Sequence, residues 1–243
     1  MKSHNLFIGD IKILNPIYAV INKEILKINK DYNHNLADLH KYVTYKKINS
    51  LRLNCFQKIN SINWRLLIKN FSYESLVSLL GPDLLVQSKL NLSIQMPNDK
   101  TSILPAHSDS WSSDSPFQLN LWIPLTNTYG TNSMFIMDST YTLKIFKEIK
   151  KNKEIFIKKP QKKNFIELKK GQYIIFNPVY LHGNILNKTN HTRVSLNLRF
   201  KSLFSPEPNK FHQDRKFGTY YQKFSISNNT KFASQLIQTG VVD

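Results

Sequence analysis

Residues 193–200 read RVSLNLRF, and the order of these eight residues decides the architecture. Arg193, Ser195, Asn197 and Arg199 alternate with Val194, Leu196, Leu198 and Phe200. Successive side chains of a strand point to opposite faces, so the run predicts a strand with one wholly polar and one wholly apolar face. Two arginines, a serine and an asparagine on an inward face are costly to bury without anionic or hydrogen-bonding partners. The polar face therefore requires a ligand, a salt-bridge network or solvent.

The same partition recurs upstream. Leu90, Leu92 and Ile94 oppose Asn91, Ser93 and Gln95, while Leu119, Leu121 and Ile123 oppose Gln118, Asn120 and Trp122. A half-exposed sheet would explain any one of these strands; three together favour polar faces that converge on a pocket for a small polar ligand. Residues 84–96, 117–125, 133–138, 172–177 and 193–200 are short, apolar or alternating, with Pro, Asn, Asp, Ser and Gly between them. That rhythm predicts an antiparallel β-sandwich or small barrel.

Helical spacing appears before the strands. Residues 16–30 and 34–48 predict helices packed on the outside of a sheet. In SYESLVSLL, residues 72–80, Leu76, Leu79 and Leu80 share one helical face before Gly81-Pro82 ends it. The expected organisation is a single domain, 1–243. It has a mostly helical portion at 1–82, a β-barrel core at 83–204 with a lysine-rich insertion at 143–170, and a C-terminal tail at 205–243. The insertion reads as a solvated surface excursion with a helix near 142–150.

A chain of 243 residues with 41% hydrophobic and 12% aromatic content can build a substantial core, which excludes disorder as a description of the whole. The formal charge of +18 would attract polyanions, but the lysines are scattered among Asn and Ile residues. No nucleic-acid partner is expected, while an anionic small molecule stays compatible. Cys55 is the single cysteine, cannot form an intrachain disulfide and reads as a buried small residue. Asp10, Lys12 and Pro16 interrupt the first apolar stretch, and no later run approaches ~20 apolar residues. A cytoplasmic protein without a membrane span is expected.

Chemistry enters with AHSDS, where His107 and Asp109 stand two apart and can share one face of a strand. His182, in FNPVYLHGN, directly follows the apolar strand YIIF. Two histidines and a carboxylate on one face of an octahedron suit a non-haem Fe(II) oxygenase, and zinc fits as well. An HxD pair is common by chance. Arg193, eleven residues after His182, and Ser195 lift the pattern above chance. Asp114 has the wrong spacing from His107 and reads as loop. Trp111 and Trp122 are large enough to stack on a sugar ring, but single aromatics are more often core.

The segments LPAHSD, SPFQLNLWIPLTNT, NSMFIMDS, GQYIIFNPVYLHGN and TRVSLNLR resemble the Fe(II)/2-oxoglutarate-dependent oxygenases, in particular the phytanoyl-CoA-dioxygenase-like branch. More narrowly they are similar to the StrG-like oxygenases of bacterial carbohydrate-biosynthesis clusters. The resemblance covers about residues 70–204. It implies a double-stranded β-helix (jelly-roll, cupin-like) with flanking α-helices, and a dioxygenase in which His107, Asp109 and His182 bind Fe(II). It implies also that Arg193 pairs with the distal carboxylate of 2-oxoglutarate, that Ser195 adds a hydroxyl, and that O2 is the oxidant. Asn91, Gln95 and Asn120 are further wall residues by strand parity. Halogenating relatives have a small residue at the position of Asp109, so hydroxylation or another C–H oxidation is implied rather than chlorination. The implied substrate is a sugar or sugar-linked metabolite, including an anionic or nucleotide-linked sugar. Two rivals stand beside this reading: a cupin-like metal-dependent sugar isomerase or epimerase, which leaves Arg193 and Ser195 without a role, and a basic nucleic-acid-binding module.

Overall fold

The alternating run 193–200 lies at the centre of the largest sheet. A computed structural model describes residues 4–112, 114–151, 157–206 and 216–239. Strands β1 (His4–Ile8), β2 (Leu84–Gln87), β3 (Asn91–Gln95), β4 (Leu119–Pro124), β6 (Gln172–Phe176), β8 (Arg193–Ser202) and β9 (Tyr221–Ser225) form one antiparallel sheet. Its order is β1-β6-β4-β8-β2-β9. β8 is long enough to pair with β4 along one edge and with β3 and β2 in succession along the other. β5 (Met134–Ile136) and β7 (His182–Asn184) form a second, two-stranded sheet. The arrangement is the mainly β jelly-roll with flanking helices that was expected, open rather than closed into a barrel.

Burial follows the predicted parity. Val194, Leu196, Leu198 and Phe200 join Leu121, Ile123, Tyr173 and Ile175 in one core beneath α1 (Asn15–Leu26), α2 (Tyr45–Ile59) and α3 (Trp64–Leu80). The helices thus cover the outer face of the large sheet. On its inner face Trp122, Ile174 and Phe176 meet Met134 and Ile136 of the small sheet. A Leu→Ala change in the shared core, as at Leu196, costs about 2–5 kcal/mol.

Several elements depart from the expected bounds, each for a local reason. The helix read over 34–48 is a 3-10 turn at Leu36–Lys41 followed by α2. There Asn33 and Asn35 accept backbone N–H groups two residues on, and such side-chain bonds compete with the helix ladder. The helix read over 72–80 begins already at Trp64 and ends as predicted, with Gly81 at φ +80°. The strand read over 84–96 is broken between Gln87 and Asn91, where Ser88 N–H donates to the Tyr220 carbonyl.

The helical portion 1–82 contributes β1, paired with β6, and the tail contributes β9 and α5 (Asn228–Gln238). The insertion 143–170 is more than a surface excursion. α4 (Ser139–Lys150) buries Ile145, and Ile166 and Leu168 are buried beside Met134 and Trp122, because apolar residues are interleaved with the lysines. Residues 152–156 of it lie outside the described residues. Cys55 is buried as expected. No described helix is long and apolar enough to cross a membrane.

Candidate metal centre

His107, Asp109 and His182 offer ligand atoms that all lie within 4.8 Å of one another. Each is placed by backbone bonds. His107 forms an antiparallel bridge with His182, the first residue of β7, and Asp109 N–H donates to the Pro178 carbonyl at 3.0 Å. His107 and Asp109 were read as alternating strand neighbours. Instead the chain leaves extended geometry after His107, and Asp109 opens a 3-10 turn, Asp109–Ser112. The side chains still converge, with Asp109 Oδ1 3.4 Å from His107 Nε2 and 3.7 Å from His182 Nε2.

The other ring nitrogen of each histidine is engaged. His107 Nδ1 lies 2.9 Å from the Pro105 carbonyl and His182 Nδ1 lies 2.8 Å from that of Tyr180. A carbonyl only accepts, so each Nδ1 carries a proton, which leaves each Nε2 as the nitrogen that would turn a lone pair to a cation held beside Asp109. Burial depresses His182 to about 4, so it is neutral at physiological pH. For Asp109, burial favours the neutral acid, but the His107 hydrogen bond, the Arg199 charge and the Asn120 amide outweigh it and hold the carboxyl well below its usual range. Two imidazole nitrogens, deprotonated when they ligate, and one carboxylate form a donor set that fits a divalent first-row metal ion.

These residues line a cavity of about 140 Å³ together with Ser93, Trp122, Arg193, Ser195, Asn197 and Arg199. The polar face of β8 therefore points into it. Arg193 is buried, and its Nη2 donates to Ser93 Oγ at 3.1 Å. Its Nε and the Ser195 hydroxyl are buried without a hydrogen-bond partner, and among the described residues no carboxylate pairs with it. Burial pulls this guanidinium down to about 10, which leaves it charged at neutral pH.

The remaining wall assignments shift. Asn91 and Gln95 do not line the cavity; Gln95 donates instead to the Ile185 carbonyl, and Ser93 between them is the β3 residue that faces in. Asn120 is buried and donates to Asp109 Oδ2 at 3.0 Å. Trp122 lines the cavity, whereas Trp111 is 39% exposed, its ring beside that of Phe146.

Arg199, on the polar face that strand parity assigns, meets Asp109 Oδ2 through Nε and Nη2, each at 3.0 Å. Asp114, read as loop, is buried with Oδ2 3.3 Å from Arg199 Nε. Tyr220 accepts from Arg199 Nη1 at 3.1 Å. Strand parity pointed to Arg199; nothing in local sequence pointed to Asp114 or Tyr220.

No protein-family profile matches the chain. Among curated proteins it is 27% identical over 121 residues to "Streptomycin biosynthesis protein StrG" of Streptomyces griseus, spanning 49% of this chain and about half (46%) of that protein. Among solved structures it is similar to the apo form of the non-heme monooxygenase ThoJ, with a TM-score of 0.52 and 13% identity over 93% of this chain and 82% of that one. It is also similar to EctD of S. alaskensis, solved with 2-oxoglutarate and 5-hydroxyectoine, with a TM-score of 0.52 and 14% identity over 86% of this chain and 75% of that one. The chain thus has the fold of these two proteins, with His107, Asp109 and His182 gathered at one point of it.

Proposed function

We propose that this chain is an Fe(II)/2-oxoglutarate-dependent dioxygenase that oxidises a C–H bond of a small molecule. His107, Asp109 and His182 would hold the iron, and Arg193 with Ser195 would receive the distal carboxylate of 2-oxoglutarate. The observation that carries this reading is the buried, carboxylate-free Arg193 in the wall of the cavity that the three ligand residues share. A buried guanidinium with an unused N–H and an unused hydroxyl beside it is matched by a carboxylate that enters from outside. A cupin-like isomerase or epimerase gives these two side chains nothing to do.

When bound, iron with 2-oxoglutarate supplies the oxidising power to convert a C–H bond and O2 into a hydroxylated product. The protein's share is positioning. Both imidazoles are held by backbone carbonyls, and Arg193 is oriented by Ser93. Trp122, Met134 and Phe176 supply apolar wall that limits water in the cavity. No side chain needs to act as general base.

A sugar or sugar-linked metabolite is the proposed substrate, supported by the local similarity to StrG, whose name places it in the biosynthesis of streptomycin. The excess of basic residues is compatible with an anionic or nucleotide-linked sugar. A cytoplasmic location fits the single buried cysteine and keeps iron reduced. The test is anaerobic addition of Fe(II) and 2-oxoglutarate, which is expected to produce the weak visible charge-transfer band of the chelate. Absence of the band in wild type, or an undiminished band in His107→Ala, rejects the proposal.

A further inference from the structure

Arg199 lies beside the metal-ligand candidates yet is neither a ligand nor the co-substrate anchor, and its role follows from how the two oxygens of Asp109 divide. Oδ1 faces the two Nε2 atoms of His107 and His182. Oδ2 faces away and receives Arg199 Nε, Arg199 Nη2 and Asn120 Nδ2, all at 3.0 Å. A carboxylate with both oxygens free can take a cation on either one or on both. Here three N–H donors already fill the acceptor sites of Oδ2.

Arg199 is itself fixed from three directions. Asp114 Oδ2 lies 3.3 Å from Nε, the Tyr220 hydroxyl accepts from Nη1 at 3.1 Å, and the backbone N–H donates to Gln87 Oε1 at 3.0 Å. Asp114 also supplies a second negative charge, so Arg199 stays compensated when a cation draws on the charge of Asp109. The planar fork of a guanidinium suits such a multi-partner role, and a lysine ammonium cannot reproduce it.

We infer, on the proposed metal reading, that Arg199 is a positioning residue for Asp109. With Asn120 it occupies Oδ2, leaves Oδ1 as the one oxygen offered to a divalent cation, and is held in place by Asp114 and Tyr220.

The test titrates the full-length protein anaerobically with Co(II) alone and follows its visible ligand-field bands. Arg199→Lys keeps the charge and loses the fork. It is expected to weaken Co(II) binding by about 10–100-fold, the usual effect of removing a group that orients a metal ligand, and to alter the bands because the released Oδ2 can join the coordination. Tyr220→Phe removes only the hydroxyl beside Arg199 and is expected to weaken binding by about fivefold. It carries the test if Arg199→Lys does not fold. Unchanged affinity and bands in the folded variants overturn the inference and leave the metal site standing. Wild-type protein that binds no Co(II) overturns the metal reading, and this inference with it.

Discussion

His107 and His182 are cross-strand partners: each backbone N–H donates to the other's carbonyl at 2.9 Å, and their ring centroids lie 4.4 Å apart. Gly183 permits this approach. A Cβ there would stand 2.6 Å from the Leu104 carbonyl oxygen and 2.8 Å from that of Pro105. Both are backbone atoms, so rotation of a side chain cannot relieve the clash. Gly183→Ala is expected to push the two segments apart, lowering stability by about 1–3 kcal/mol in urea melts and weakening Mn(II) binding by about tenfold or more. Wild-type melting and binding in this variant would contradict the packing described.

Arg193 predicts opposite effects on stability and on co-substrate use. Arg193→Met removes a buried charge that has no carboxylate partner, so the ligand-free variant is expected to melt higher than wild type. The same change should raise the apparent KM for 2-oxoglutarate by about 10–100-fold, since hydrogen bonds to charged groups contribute about 1.5–3 kcal/mol. An unchanged KM moves the carboxylate anchor away from Arg193.

The two histidines respond to pH in opposite senses. Burial lowers His182 from 6.5 to about 4, so the unfolded chain takes up a proton there before the folded one does. Stability from this group is present above pH 6.5 and is lost as pH falls towards 4, amounting to about 3 kcal/mol over that window. Burial would lower His107 too, but the contact with Asp109 and the bond to the Pro105 carbonyl outweigh it and raise the group. Its contribution is therefore complete below pH 6.5 and fades as pH rises through the raised value. Urea melts of metal-free protein should show stability falling between pH 6.5 and 4, and His182→Gln should flatten that slope. A slope that persists in the variant assigns the effect to other groups.

Charge balance couples the two proposed ligands. The two guanidinium groups of Arg193 and Arg199 are matched in number by the carboxylates of Asp109 and Asp114. A divalent cation alone adds two positive charges, and a dicarboxylate dianion cancels them. Mn(II) with 2-oxoglutarate is expected to raise the melting temperature by more than the two separate shifts combined, with each ligand stabilising by about 2.7 kcal/mol at a hundredfold excess over its Kd. Additive shifts in thermal melts would argue that the two do not share the site.

Strand parity made much of this legible. The alternation in 193–200 correctly placed Arg193, Ser195, Asn197 and Arg199 in one cavity wall and Val194, Leu196, Leu198 and Phe200 in the core. Parity fixes a face but not how far along the strand the cavity extends, which is why Ser93 lines it and Asn91 and Gln95 do not. The grouping of His107 with Asp109 was visible in their spacing, though a 3-10 turn rather than a strand produces it. Asp114 and Tyr220 reach Arg199 only through loop and tail packing, and such long-range contacts have no periodic signature. Asn33 and Asn35 misled the helix reading because their side chains satisfy backbone donors locally.

The borders of the large sheet are β1 and β9, strands from opposite ends of the described chain. On the ribosome, β2 and β8 emerge well before β9, so the nascent sheet carries a bare rim of unpaired N–H and C=O groups along β2. Such a rim invites pairing with another chain. The same order of emergence leaves Arg199 without Tyr220 until β9 docks, so the support of Asp109 is complete only once that strand has paired with β2.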